Sequence, residues 1–151
     1  MRSLMNSPIV SFWNDQGEIH IMDLTKNFEQ LKNNVGTKKK TFAQEIVLQS
    51  DAEGFGIAWN PHKIGQLVTG NTLGQVEVFE NNESYTSWKK STQYSYHQGS
   101  VEDIVFSPTE PTVFASCTLD IIFRLFRRNS ADCGYESGEY EPISTFNKSS
   151  W

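Results

Sequence analysis

The chain has 151 residues, 37% hydrophobic and 21% charged, with ten Phe, five Tyr and four Trp, enough for one domain with its own core. A formal charge of −5 argues against a general nucleic-acid binder. No run approaches the roughly 18 apolar residues of a membrane-spanning helix, and the opening MRSLMNSPIVSFW is too short and mixed in its apolar run for a signal peptide. The two cysteines, Cys117 and Cys133, lack any CxxC spacing, so they neither staple a small fold nor build a zinc site. That usage points to a reducing interior.

Taken in order, the chain reads as short alternating runs separated by turns. Pro8 to Trp13 and Glu18 to Leu24 are predicted as two inner strands around a turn at Gly17. Phe28, Leu31 and Val35 recur at helical spacing, and Lys38, Lys39 and Lys40 form a charge run. Residues 25–40 are therefore predicted to be a short helix and a solvated loop. Thr41 to Leu48 alternates again as an outer strand. Residues 54–59, 66–70 and 75–80 are three further strands, with Ser84 to Tyr94 outside them. Residues 101–106, 112–117 and 121–127 repeat the pattern, and Ile143 to Phe146 is one more candidate outer strand in a polar tail.

These runs are copies of one unit. Residues 54–80 lie over 101–127 without a gap: Ile57 meets Ile104, Trp59 meets Phe106, Pro61 meets Pro108, Thr69 meets Ser116 and Phe79 meets Phe126. A partial copy upstream sets Asn14 over Asn71, Gly17 over Gly74, Ile19 over Val76 and Ile21 over Val78. Three short strands framed by a His and an aromatic are the unit of the WD40 repeat, one blade of a β-propeller. His97 opens the third copy, Ser116 and Asp120 continue its polar chain, and Phe126 stands where the repeat places Trp. Phe79 holds that place in the second copy, where Leu73 replaces the Asp and no His precedes the first strand. Packing rather than a polar chain is expected to hold that blade.

The fold expected is thus all-β, a partial WD40 propeller of about three antiparallel four-stranded blades, the first and last incomplete. Residues 1–50 form the first blade with its insert at 25–40, 51–96 the second and 97–127 the third, with 128–151 an outer strand or flexible tail. WD40 rings commonly close with about seven blades of roughly 40–45 residues. The chain is therefore expected to be a fragment of a longer ring, or a half-ring that self-associates through its open blade faces.

Two blocks carry a narrower resemblance. Glu53-Gly54-Phe55-Gly56-Ile57-Ala58-Trp59-Asn60-Pro61 and Ser100-Val101-Glu102-Asp103-Ile104-Val105-Phe106-Ser107-Pro108 open consecutive blades. With them the chain resembles the glutamate-rich WD-repeat family of ribosome-assembly proteins, related to the retinoblastoma-binding, chromatin-assembly WD40 histone chaperones. The resemblance implies that Glu53, Phe55 and Glu102 lie at the top rim of the central channel, where such proteins engage a basic peptide. Carboxylates there pair with Lys or Arg while the aromatic takes a cation or an alkyl stem. The alternative is that both glutamates are solvated loop charges and Phe55 caps the core. The family's acidic N-terminal region and later blades are absent, and the closing Trp-Asp pairs have become Phe79-Glu80 and Phe126-Arg127.

Catalytic chemistry is not expected. His20, His62 and His97 have no Cys, His or acid at metal-ligand spacing, and no phosphate-binding glycine fingerprint is present. No catalytic residue, metal or cofactor is assigned. The resemblance implies a non-catalytic scaffold for a ribosomal protein or histone with a basic segment, without direct contact to nucleic acid or membrane. It would work in the nucleus, chiefly the nucleolus, with the cytoplasm as a second location. A histone chaperone proper, or a purely structural arc in a larger complex, are the alternative readings.

Overall fold

The structure, a computed structural model, describes residues 8–32, 44–82, 87–119, 122–128 and 140–147. Within them the chain forms β1 (Ile9–Trp13), β2 (Glu18–Asp23), α1 (Thr25–Lys32), β3 (Gln44–Gln49), β4 (Gly54–Trp59), β5 (Gln66–Asn71), β6 (Val76–Asn81), β7 (Trp88–Tyr94), β8 (Val101–Phe106), β9 (Val113–Thr118), β10 (Ile122–Arg128) and β11 (Tyr140–Asn147). Every strand pairs antiparallel with a sequence neighbour. The pairings give three sheets, β1-β2-β3, β4-β5-β6-β7 and β8-β9-β10-β11.

The internal repeat extends to individual hydrogen bonds. Asn14 N–H donates to the Glu18 carbonyl and Leu24 N–H to that of Pro8. At the matching places Asn71 N–H donates to the Gln75 carbonyl and Asn81 N–H to that of Gly65. The turns share one device as well. Asn14 Oδ1 accepts from the N–H groups of Gln16 and Glu18, and Asn71 Oδ1 from those of Leu73 and Gln75. Gly17 and Gly74 close these turns at φ 77° and 80°, a region that strains any residue with a side chain. At the other end, Asn60 Oδ1 accepts from His62 and Lys63, as Ser107 Oγ does from Thr109 and Glu110.

This register places β1 and β2 opposite β5 and β6, the second and third strands of the complete sheet. They are inner strands of that sheet, which has no described strand in the innermost place. The third sheet does have its fourth strand, because β11 spans Tyr140–Asn147, beyond the Ile143–Phe146 run. Only the first part of the expected helical insert is helical among the described residues. α1 presents Phe28 and Leu31 to solvent, while Val35 and the Lys38–Lys40 run lie outside the described residues. Asp23 starts α1, its Oδ1 accepting from both the N–H and the hydroxyl of Thr25. Those bonds hold its carboxyl below the usual range.

The core consists of two layers between sheets. Ile19, Ile21 and Leu48 of the first sheet meet Leu67 and Phe79 of the second, with Trp13, Ile57, Trp59 and Trp88 around them. On the other face, Val68, Val76, Val78 and Tyr94 meet Val101, Ile104, Phe106, Phe114 and Phe126 of the third sheet. Covered on both sides, β5 is buried at every residue. The sheets approach so closely that a Cβ at Gly70 would stand 2.3 Å from Val101 Cγ1.

Polar groups also cross these layers. Glu77 is fully buried, and its charge is met by Lys90 Nζ at 2.5 Å, which also reaches Gln93. Its second oxygen, and the Thr69 hydroxyl beside it on β5, have no hydrogen-bond partner. In the third sheet His97 Nε2 and Ser116 Oγ lie 2.6 Å apart, the start of the expected polar chain. Asp120, its next expected member, lies outside the described residues. Phe126 is completely buried and stacks on Phe114 at 4.8 Å, so aromatic contact occupies the place where the repeat's Trp would donate. Contrary to the expectation of packing alone, the second sheet has a polar link too. Ser50 occupies the place of His97, and its Oγ accepts from Asn71 Nδ2 at 3.2 Å.

Burial, together with the nearby Arg124 guanidinium, pushes the His97 imidazole down to about 4. An unfolded chain takes up that proton near 6.5. Stability is therefore complete above about pH 6.5, falls as the pH drops from there towards 4, and levels off below. His97 should account for about 2 kcal/mol of the loss by about pH 5, read as the difference between wild type and His97→Gln in urea unfolding. Gly70→Ala should cost about 2 kcal/mol through overpacking against Val101. Lys90→Met should cost about 3–5 kcal/mol by stranding the Glu77 charge. The double variant Glu77→Leu/Lys90→Met should recover most of it. Both are measured by the same unfolding midpoints.

Candidate partner-binding rim

One end of the three sheets is built from turns and opening loops packed side by side. A Cβ at Gly17 would touch the backbone of Ala52, and one at Gly74 would stand 2.5 Å from the His97 carbonyl. The β1–β2 turn therefore abuts the loop opening β4, and the β5–β6 turn abuts the loop opening β8. The β4–β5 and β8–β9 turns meet at the opposite end, where His62 Nε2 lies 3.0 Å from the Ser107 carbonyl and Asn60 Nδ2 donates to that of Pro111.

All three residues expected at a rim lie at the first end. Glu53 is exposed in the loop before β4, and its carbonyl accepts from Thr72 N–H, tying that loop to the β5–β6 turn. Phe55 and Glu102 are the second residues of β4 and β8. Each is the extra residue of a β-bulge: the β4–β5 register passes from Gly54 to Gly56, and the β8–β9 register from Val101 to Asp103. A bulge turns its residue out of the ladder. Phe55 is 61% exposed as a result, unusual for a large aromatic on a strand whose next residue, Gly56, is buried. Glu102 is half-buried at the matching place. The sequence spacing gave no sign of the bulges, because the copies align without a gap and both carry one.

The rim includes residues that sequence reasoning did not assign. Asp15, Asp51 and Asp103 are exposed there, and Leu73, 60% exposed, stands on the β5–β6 turn beside Glu53. Repeat position was the available signal, since Asp15 precedes a turn glycine as Thr72 does and Asp103 follows the bulged residue as Gly56 does. The carboxylates act on their surroundings: burial first, then Asp103 and Glu102, raise the Cys117 thiol. Of the described lysines and arginines, Lys26, Lys32, Lys63, Lys89 and Arg127 lie towards the opposite end of the strands, while Lys90 Nζ stands 3.9 Å from Asp51. Such an end attracts cations and offers apolar surface for their stems.

Outside the rim, His20 is held by Glu45 at 2.7 Å and Glu18 at 3.4 Å and stacks on Phe12. Among the described residues no group of three His, Cys, Asp or Glu is placed to hold a metal, and no helix is long and apolar enough to cross a membrane.

No family model matches the chain. It is 34% identical over 121 residues to glutamate-rich WD repeat-containing protein 1 of Dictyostelium discoideum, covering 80% of this chain and 25% of that protein. The ribosome assembly protein rrb1 of Schizosaccharomyces pombe is 26% identical over 78% of this chain and 25% of its own length. Histone acetyltransferase type B subunit 2 of Aspergillus oryzae is 29% identical over 59% of this chain and 21% of its own. The chain thus spans about a quarter of the curated relatives it matches. Among solved structures, Saccharomyces cerevisiae Sqt1 superposes with a TM-score of 0.65 at 17% identity, over 94% of this chain and 32% of that one. Three sheets in propeller register, and relatives that are WD-repeat proteins of ribosome assembly and histone modification, identify the chain as an arc of a WD40 β-propeller resembling the glutamate-rich WD-repeat proteins.

Proposed function

We propose that the chain is a non-catalytic scaffold whose rim binds the basic segment of a protein client in ribosome assembly, in the nucleus and chiefly the nucleolus. The observation that carries this reading is the pair of bulges at matching places on β4 and β8. They turn Phe55 and Glu102 out of their ladders at the same rim, beside Glu53, Asp51 and Asp103. Bulges re-aim side chains and recur beside binding sites, although the same two sheets carry another matching pair, at Val78/Phe79 and Leu125/Phe126, away from this rim. The carboxylates would pair with Lys or Arg of the client and screen its charge from RNA, and Phe55 would cover an alkyl stem. The relatives named for glutamate-rich WD repeats and for ribosome assembly support the choice of client class.

A histone tail is the second reading, favoured by the likeness to a type B histone acetyltransferase subunit. Competition between a histone tail peptide and a ribosomal-protein N-terminal peptide, both basic, separates the two.

The test is a titration of the chain with a fluorescent Lys/Arg-rich peptide. Glu102→Lys should weaken binding about tenfold at low salt. The difference should shrink as the ionic strength passes about 0.5 M, with the unfolding midpoint unchanged. Equal affinity of wild type and variant at low salt would remove the rim from the mechanism.

A further inference from the structure

We propose that the rim continues outward as an apolar strip, formed by Phe55, Leu73 and Tyr96, that takes apolar side chains of the client beside its basic residues. The client segment is then amphipathic rather than merely basic. This rests on the basic-client reading above and adds a second recognition chemistry to it.

One turn joins the two ends of the strip. Thr72 N–H donates to the Glu53 carbonyl, which seats the β5–β6 turn against the loop that leads into Phe55. On its other side, a Cβ at Gly74 would stand 2.5 Å from the His97 carbonyl and 2.9 Å from that of Gly99. The same turn therefore abuts the loop that carries Tyr96. Leu73 stands on this turn, its N–H held by Asn71 Oδ1 at 3.1 Å. Tyr96 lays its ring against Tyr94 and Phe126, with centroids 6.1 and 6.2 Å away, and remains 44% exposed. Phe55 and Leu73 are each more than half exposed.

The chain's own repeats show that the fold does not ask for apolar groups at these places. Phe55 lies over Glu102, Leu73 over both Asp120 and Gln16, and Tyr96 over Gln49. Every counterpart is polar, and Gln49 uses its amide to bond the Gly17 and Ser50 carbonyls. Where the core does need apolar groups the copies agree, as in Ile19 over Val76, Ile57 over Ile104 and Phe79 over Phe126. A single exposed apolar residue is ordinary. Three on adjoining loops, each replacing a polar counterpart, mark an interaction surface.

Charge decides the occupant. Glu53, Glu102 and Asp103 stand where the strip meets β4 and β8, and among the described residues no Lys or Arg pairs with them. A purely apolar partner would desolvate these carboxylates without pairing them. A segment with Lys or Arg next to apolar residues satisfies both parts. The turn beneath Leu73 is fixed by its own hydrogen bonds, so little ordering is needed on binding.

The test compares two fluorescent peptides of equal charge on the full chain. In one, Lys and Arg are separated by Ser; in the other, two of those Ser are replaced by Leu. The Leu peptide should bind about tenfold more tightly. The ratio should persist above about 0.5 M salt while both affinities fall, because salt screens the ion pairs and not apolar burial. Leu73→Gln with Tyr96→Gln, which copies the residues of the other repeats, should make the two peptides bind alike. Leu73→Gln alone leaves the Tyr96 packing in place and should already lower the ratio, with the unfolding midpoint unchanged. Equal binding of both peptides to the wild type overturns the strip, and if Glu102→Lys still weakens both, the basic-client reading stands without it. A preference that survives both substitutions overturns it too. If neither peptide binds, the strip and that reading fall together. A dimer in light scattering that Leu73→Gln dissolves would make a second copy the occupant and likewise overturn the proposal.

Discussion

The arrangement depends on the second sheet being covered on both faces. A strand with apolar groups on either side is stable only between two neighbours, and β5, buried at all of its residues, sits in that position. Glycine at 56 and 70 lets Val101 and Ile104 approach on one face, while Leu67 and Phe79 receive Ile19, Ile21 and Leu48 on the other. Among the described residues the first and third sheets are covered on one face only. Val10, Phe12 and Val47 on one outer face, and Val105 and Ile143 in the third sheet, are exposed in consequence. The molecule is an arc because its middle is saturated and its ends are not.

The polar groups buried in that arc follow the same division. Where the repeat keeps its histidine, the His97–Ser116 pair links the loop before β8 to β9. Where the histidine is lost, Ser50 and Asn71 make the corresponding link with smaller groups, and Asn71 organises the β5–β6 turn as well. Neutral side chains can exchange in this way because each needs only one good partner. Glu77 is different, since its charge requires Lys90, and losing that partner strands a buried charge, which no apolar pair would do.

Much of this was legible in the sequence because a β-sheet built by neighbour pairing writes its register into a period of two. The alignment of Ile57 with Ile104 and of Gly17 with Gly74 located strands and turns before any coordinates. The place of β1 within its sheet was legible by the same route, since Ile19 and Ile21 over Val76 and Val78 set β2 on β6 and so β1 on β5. The Ser50 link was hidden, since a serine before a strand is too common to be read as a substitute histidine. At the rim, Glu53, Phe55 and Glu102 were found through resemblance and repeat position. The outward turn of Phe55 and Glu102 comes from bulges, which leave no trace when both copies carry one. Asp120, assigned from the repeat, lies among residues the structure does not describe.

The neighbour-by-neighbour pairing of the strands also bears on how the chain reaches this state. Each sheet pairs its strands in sequence order, and the connections β1–β2, β4–β5, β5–β6 and β8–β9 are short, so much of the pairing is local in sequence and carries little loop-closure entropy. Contacts between sheets span longer separations, and the two buried layers among the described residues both lie against the second sheet. That sheet is thus the natural nucleus: once it forms, each flanking sheet can dock on its own face of it. Loss of order in β5 would release both flanks together, whereas fraying of either flank would leave the remaining pair intact.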